Sequence, residues 1–166
     1  MKTFVRQHLK LEQLSRSSKL TYTIFLAFGV LGLASSIALG GMKTHFTYAG
    51  LVAYYRGDEA LGYYAKTPLE LLETTHFHLF SQPVFFFIIG HIFLLSAWPR
   101  PLKAAIVCAS FAAVAADIAG PWLIVYAGAP FTALKLLAGY VLAGCFVVET
   151  LVALYDMWRR RPHRSG

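Results

Sequence analysis

The sequence predicts an all-α membrane protein, a bundle of four transmembrane helices with both termini on one side. Composition is the first reason: hydrophobic residues make up 57% of the chain and charged residues 14%, a balance far too apolar for a soluble domain. The second is length. Four stretches, 23–40, 76–97, 104–126 and 131–155, approach the roughly 20 apolar residues that cross a bilayer. The third is charge asymmetry. Lys2, Arg6, Lys10, Arg16 and Lys19 precede the first stretch, Arg100 and Lys103 separate the second from the third, and Arg159, Arg160, Arg161 and Arg164 follow the fourth. Eleven of the fifteen Lys and Arg thus share one side, and the positive-inside rule makes that side cytoplasmic, N-in and C-in. The net charge of +7 is topological, favours contact with anionic lipid, and does not call for nucleic acid. Nothing remains for a second globular domain, so residues 1–166 form one membrane domain.

Each element has its own signals. Residues 3–14 set Phe4, Val5, Leu9, Leu11 and Leu14 among charges, the pattern of a short interfacial helix. Twenty residues of charged lead make the first span too long-flanked for a cleaved signal peptide. The outer loop 41–72 is rich in aromatics, with Phe46, Tyr48, Tyr54, Tyr55, Tyr63 and Tyr64. It is expected to pack on the membrane surface or a partner, with a turn at Arg56-Gly57-Asp58-Glu59. Thr67-Pro68-Leu69-Glu70 starts the second helix: threonine caps, proline suits the first helical position, and Glu70 completes a capping box. Pro83 removes an N–H inside that helix and bends it below His78. Gly139 and Gly144, with Ala138 and Ala143, are expected to allow close helix contact in the fourth span. Trp98 and Trp158 mark one membrane boundary, Trp122 and Tyr126 the other. Cys108 and Cys145 both fall within spans, so no disulfide framework is expected.

Ionisable groups are costly in hydrocarbon and point to function by default. They separate by depth into two layers. Glu73, His76, His78, Asp117 and Lys135 lie near the outer ends of the second, third and fourth helices. His91 and Glu149 lie near the cytoplasmic ends. His76 and His91 differ by fifteen positions, about 22 Å along the axis and roughly 60° around it, so they share one broad helix face. His78 and His91 are roughly 140° apart.

Two histidines at opposite ends of one membrane helix are the arrangement that b-type di-haem cytochromes use for axial ligands. In helix count, orientation and this histidine-bearing helix, the chain resembles the four-helix membrane cytochromes b. That resemblance implies haem b held by His76 and His91 and electron transfer between quinone and a partner. The other spans lack histidine, so a second source of axial ligands is needed: a parallel homodimer pairing each residue with its copy, or another subunit. The wording Glu73-Thr74-Thr75-His76-Phe77-His78-Leu79-Phe80, with Asp117, Gly120-Pro121-Trp122 and Tyr155-Asp156-Met157-Trp158, also resembles a group of uncharacterised bacterial inner-membrane proteins. It implies a bacterial inner (cytoplasmic) membrane setting.

Other readings stand beside it. His76, His78, Glu73 and Asp117 would suit a haem-free transition-metal site, with His45 as a further ligand from the loop. Glu73 and His76 have the Glu-x-x-His spacing of di-iron sites, though only one copy occurs. A third possibility is a structural subunit of a larger membrane complex, with His91 bonded to Glu149 or a backbone carbonyl, and Asp117 and Lys135 forming a buried ion pair between the third and fourth spans. No phosphate loop and no Gly-x-Ser-x-Gly nucleophile motif occurs, and four helices without an internal repeat make a poor transporter. Whether the chain is an enzyme is left open by the sequence.

Overall fold

The computed structural model describes residues 10–159, and among them the chain is helical with no strand. Five α-helices follow one another: α1 (Arg16–Thr44), α2 (Tyr48–Arg56), α3 (Pro68–Leu94), α4 (Arg100–Trp122) and α5 (Phe131–Trp158). A π-helical turn, Leu123–Ala127, prolongs α4. The helices α1, α3, α4 with its extension, and α5 are each long and apolar enough to cross a membrane. Both described chain ends lie at one end of the bundle, where Trp158 Nε1 donates to Thr23 Oγ1 at 3.0 Å. We refer to this as the terminal end and to the opposite end, which carries α2, as the α2 end.

The helices outrun the apolar stretches because polar residues cap them. Ser15 Oγ accepts from the Ser18 N–H at 3.1 Å and starts α1 well before residue 23. At Thr67 the capping box forms as expected, with Thr67 Oγ1 accepting from the Glu70 N–H and Glu70 Oε2 accepting from the Thr67 N–H at 2.8 Å. At its other end α3 stops at Leu94, short of the expected Ala97. There the Lys103 ammonium collects the carbonyls of Leu94 and Ser96, at 2.5 and 2.8 Å, and Asp156 Oδ2 accepts from the Ala97 N–H at 2.6 Å. Charged side chains thus satisfy the backbone where the helix lets go of it.

Packing is uneven. Leu26, Phe86, Ile89, Ile92, Val114 and Phe146 form the core with Leu11, Ala153 and Met157 at the terminal end. Only 11% of the most apolar stretch of α1 is buried, against 28% for α3 and 33% for α4 and α5. The unit is therefore a three-helix core with α1 laid against it. The glycines that matter are not Gly139 and Gly144, beside which a Cβ would meet nothing within 4 Å. Between spans they are Gly29, where a Cβ would stand 3.0 Å from the Phe85 ring, and Gly120, where it would stand 2.9 Å from Lys135 Cδ. Ala138 is buried as expected.

The ends depart from the sequence reading in two ways. Within 10–14 there is a single 3-10 turn, Leu11–Gln13, with Leu11 buried and its N–H on the Leu95 carbonyl; Phe4, Val5 and Leu9 lie outside the described residues. The aromatic loop is not merely draped. It contains α2, capped by Thr47 and ended by Gly57 at φ 87°, and the expected turn follows as a 3-10 turn, Glu59–Leu61, capped by Asp58. Periodicity missed α2 because nine residues are too few to show one.

Candidate functional site

At the α2 end, one helical turn or more below the Trp122–Tyr126 stack, polar side chains from three spans converge. Asp117 on α4 pairs with Lys135 on α5, as expected, and its second oxygen accepts from Gln82 Nε2 on α3 at 3.1 Å. Lys135 also donates to the Asp117 backbone carbonyl at 3.2 Å. The lysine stem reaches Asp117 by lying across Gly120, which is why that position has no room for a side chain. Asp117 is 7% exposed, so its charge depends on this pairing. Half-buried His78 faces the same cluster, within electrostatic reach of both Asp117 and Lys135.

A short helix closes the cluster from above. Arg56, the last residue of α2, donates to the carbonyls of Ile124 and Val125 at 2.9 and 3.4 Å. Those carbonyls belong to the π-helical turn, where the regular ladder of hydrogen bonds is interrupted and acceptors are free. Tyr55 is carried over the cluster beside it. Burial, then the Tyr54 phenol and the Asp117 carboxylate, push the Tyr55 phenol above the ordinary tyrosine range. Lys43 and Lys66 flank the Tyr54 ring at 5.5 and 5.0 Å, and Trp122 Nε1 donates to Thr75 Oγ1 at 2.7 Å.

The histidines do not gather at one place. His76 and Glu73 are exposed on the outer face of α3, whereas His78 turns inward toward Asp117. His45 is exposed at the end of α1, in left-handed conformation. Of the four residues of the metal reading, Glu73 and His76 therefore lie on the exposed face of α3, apart from His78 and from Asp117 on α4, and among the described residues no three His, Cys, Asp or Glu side chains stand together as a metal-holding group. Both oxygens of Asp117 already have partners.

His91 is exposed as well, stacked on Phe87 with ring centroids 6.3 Å apart. It does not bond to Glu149. That carboxyl group is fully buried, and Ser110 Oγ donates to its Oε1 at 3.1 Å. His76 and His91 thus share the exposed face of α3, as their spacing requires, with Phe77, Phe80, Val84, Phe87 and Ile88 exposed around and between them. Beside His76 this face opens into a groove of about 660 Å³ against α1, lined by Phe25, Phe77, Phe80, Val84 and Phe85 among others.

Sequence reasoning did not assign Tyr55, Ser110 or Thr132 to any site. Gln82 carried a signal, four residues beyond His78 on one helix face; Tyr55 carried none, since its position depends on α2.

Among known proteins, a family model for a transmembrane helical domain, Aq_1264_TM, matches residues 45–164. That is well over half of the chain. The chain belongs to the Aq_1264_TM family. The match is to this membrane-domain family and not to a cytochrome family, so the likeness to cytochromes b rests on architecture. No curated protein and no solved structure matches the chain. The Aq_1264_TM region begins at the end of α1 and takes in α2 to α5, with Gln82, Asp117, Lys135, Ser110 and Glu149 all inside it. Its limit coincides with the packing boundary, since α1 is the loosely held helix.

Proposed function

We propose that this chain is a membrane redox subunit that binds b-type haem and passes electrons between quinone and a partner. The observation carrying this reading is the exposed face of α3, with His76 and His91 near its two ends and an aromatic, apolar surface between them. Among the described residues no hydrogen bond engages the imidazole nitrogens of His76 or His91, which leaves them available as ligands. The groove beside His76 is lined mainly by aromatic and aliphatic side chains, a surface of the kind a large apolar ring would contact. When bound, haem would supply one-electron transfer at each end of the membrane. The chain's own part is to place the two imidazoles about 22 Å apart and to exclude water from the surface between them.

Further imidazoles to hold the haem would come from another chain, and a parallel homodimer meeting through α3 would supply them by symmetry. The loosely packed α1 and the bare α3 face support a subunit that completes itself in an assembly. The basic residues at the terminal end support an N-in, C-in orientation in a bacterial inner membrane.

Purified protein with a Soret band and a reduced α band is the expected result. His76→Ala and His91→Ala should each lose about half of the bound haem, and His78→Ala should keep it. A colourless protein containing stoichiometric transition metal would replace this reading with the haem-free one, for which the inward-turned pair His78 and Asp117 is the supporting observation. A protein with neither would be a structural subunit.

A further inference from the structure

Polar residues follow a seven-residue rhythm along the seam between α4 and α5. On α4 they are Lys103, Ser110 and Asp117, all buried. On α5 they are Lys135, Glu149 and Asp156, with Leu142 at the one apolar step. Seven residues fall about 20° short of two full turns, so each series stays on one stripe of its helix. The stripes meet at two levels: Lys135 on Asp117 and Ser110 on Glu149 at 3.1 Å. At the terminal end Lys103 and Asp156 hold the last residue of α3 and the segment that follows it, through the Leu94 and Ser96 carbonyls and the Ala97 N–H.

A second observation falls on the same residues and their neighbours. Among the described residues, five buried side-chain polar atoms have no hydrogen-bond partner: Gln82 Oε1, Thr132 Oγ1, Glu149 Oε2, Thr150 Oγ1 and Ser96 Oγ. Gln82 bonds Asp117, Thr132 lies nearly one turn beyond Lys135 towards the α2 end, Glu149 and Thr150 belong to the Ser110 level, and Ser96 to the Lys103 level. Buried polar groups are almost always satisfied, by protein or by water, and in hydrocarbon the demand is stronger. Three of these atoms are on α5, and the other two flank the seam from α3 and from the connection that follows it; unmatched atoms so placed are what internal water would satisfy.

From these two observations we infer that the α4–α5 seam is a transmembrane proton path, with Glu149 as its central proton-binding group and Leu142 as its dry constriction. Glu149 is fully buried, with Ser110 on one oxygen and the other unmatched. Intramembrane carboxyl groups placed in this way bind and release protons in relays. Towards the α2 end the next titratable groups on the seam are Cys145, whose thiol lies 3.9 Å from the Ile106 carbonyl of α4, and then Asp117 and Lys135; towards the terminal end they are Lys103 and Asp156. His91, at comparable depth, lies on the exposed face of α3. From the Lys103–Asp156 level to the Ser110–Glu149 level is about 10 Å along both helices; from there to the Asp117–Lys135 level is about 10 Å along α4 but about 21 Å along α5, and the long Lys135 stem, which passes Gly120 to reach Asp117, takes up part of the difference. Between the Ser110 and Asp117 levels stand Ala113, Val114, Ala138 and Leu142, of which Leu142 occupies the place in the rhythm where a polar residue would stand. The path uses neither His76 nor His91, so it stands or falls apart from the haem reading.

The test is proton flux in vesicles of phosphatidylethanolamine and phosphatidylglycerol that enclose a pH-sensitive dye and hold full-length protein. A potassium diffusion potential drives the flux. Wild-type protein should carry protons above the protein-free rate, Glu149→Gln should lose at least tenfold of that excess, and Glu149→Asp should retain a measurable part. Leu142→Ser should raise the flux several-fold, an effect that a purely structural seam would not produce. Wild-type flux no higher than that of empty vesicles overturns the proposal, as does a well-folded Glu149→Gln protein that conducts like wild type. Should Glu149→Gln fail to insert, Leu142→Ser decides: flux unchanged from wild type overturns the path, and increased flux upholds it.

Discussion

Asp117 shows how a single residue links sequence, packing and site. An isolated carboxylate in a membrane helix is expensive, and here Lys135 and Gln82 compensate it. Such a pair contributes little net stability, but breaking it strands a buried charge at a cost of about 3–5 kcal/mol. Asp117→Asn should therefore destabilise the detergent-solubilised protein strongly, and adding Lys135→Gln should recover most of the loss. Thermal unfolding of the single and double variants measures both effects; additive losses would show that the two side chains do not depend on each other. Gly120 is constrained by the same geometry, because a methyl group there meets the lysine stem. Gly120→Ala should weaken the pair, whereas Gly139→Ala, facing open space, should be near neutral. Tyr55 allows a pH test. Its phenol is raised above the ordinary range by burial first, so the neutral form persists to higher pH in the folded protein. In a spectrophotometric alkaline titration, the phenol lost in Tyr55→Phe should be among the last to ionise; loss of an early-titrating one would contradict the buried placement.

At the scale of elements, α2 is the part that the rest of the molecule holds in place. Nine residues make too short a helix to persist alone in water. Its position over the polar cluster depends on Arg56 reaching the carbonyls of the π-helical turn. Arg56→Ala removes those bonds and should raise amide hydrogen exchange across 48–56 while leaving α3 to α5 unchanged. Exchange unaltered in α2 would mean that its aromatic contacts suffice. The start of α3 is local by comparison. Thr67→Ala removes the cap from the Glu70 N–H and should cost about 1 kcal/mol, seen as faster exchange confined to the first turn.

For the whole molecule, the arrangement is a three-helix core closed at one end by α2, with α1 added at the side. Because four spans are crossed, both described chain ends share one face of the membrane and the Asp58 turn lies on the other. In a cysteine-free background, Asp58→Cys and Arg159→Cys should label with an impermeant thiol reagent from opposite sides, Asp58→Cys from the non-cytoplasmic side if the basic residues set the orientation. Labelling of both from the same side would overturn the topology.

Composition, span length, charge asymmetry and the Thr67–Glu70 cap are local properties of the chain, so the sequence by itself determined the four membrane helices and the start of α3. Helical spacing likewise placed His76 and His91 on one face, since a rigid rod fixes relative directions without reference to neighbours. The Asp117–Lys135 pair was legible because a short connection forces α4 and α5 together. Which way each face turns was settled only by the tertiary structure. His91 points away from Glu149, His78 toward Asp117, and Gly120 rather than Gly139 meets a neighbour. The position of α2 was equally hidden, as it rests on an arginine bonding to carbonyls 68 and 69 residues away. The physical reason is the same throughout. An apolar helix in a membrane is hydrophobic on every side, so its pattern cannot announce which side is inside; only packing against the other helices decides that.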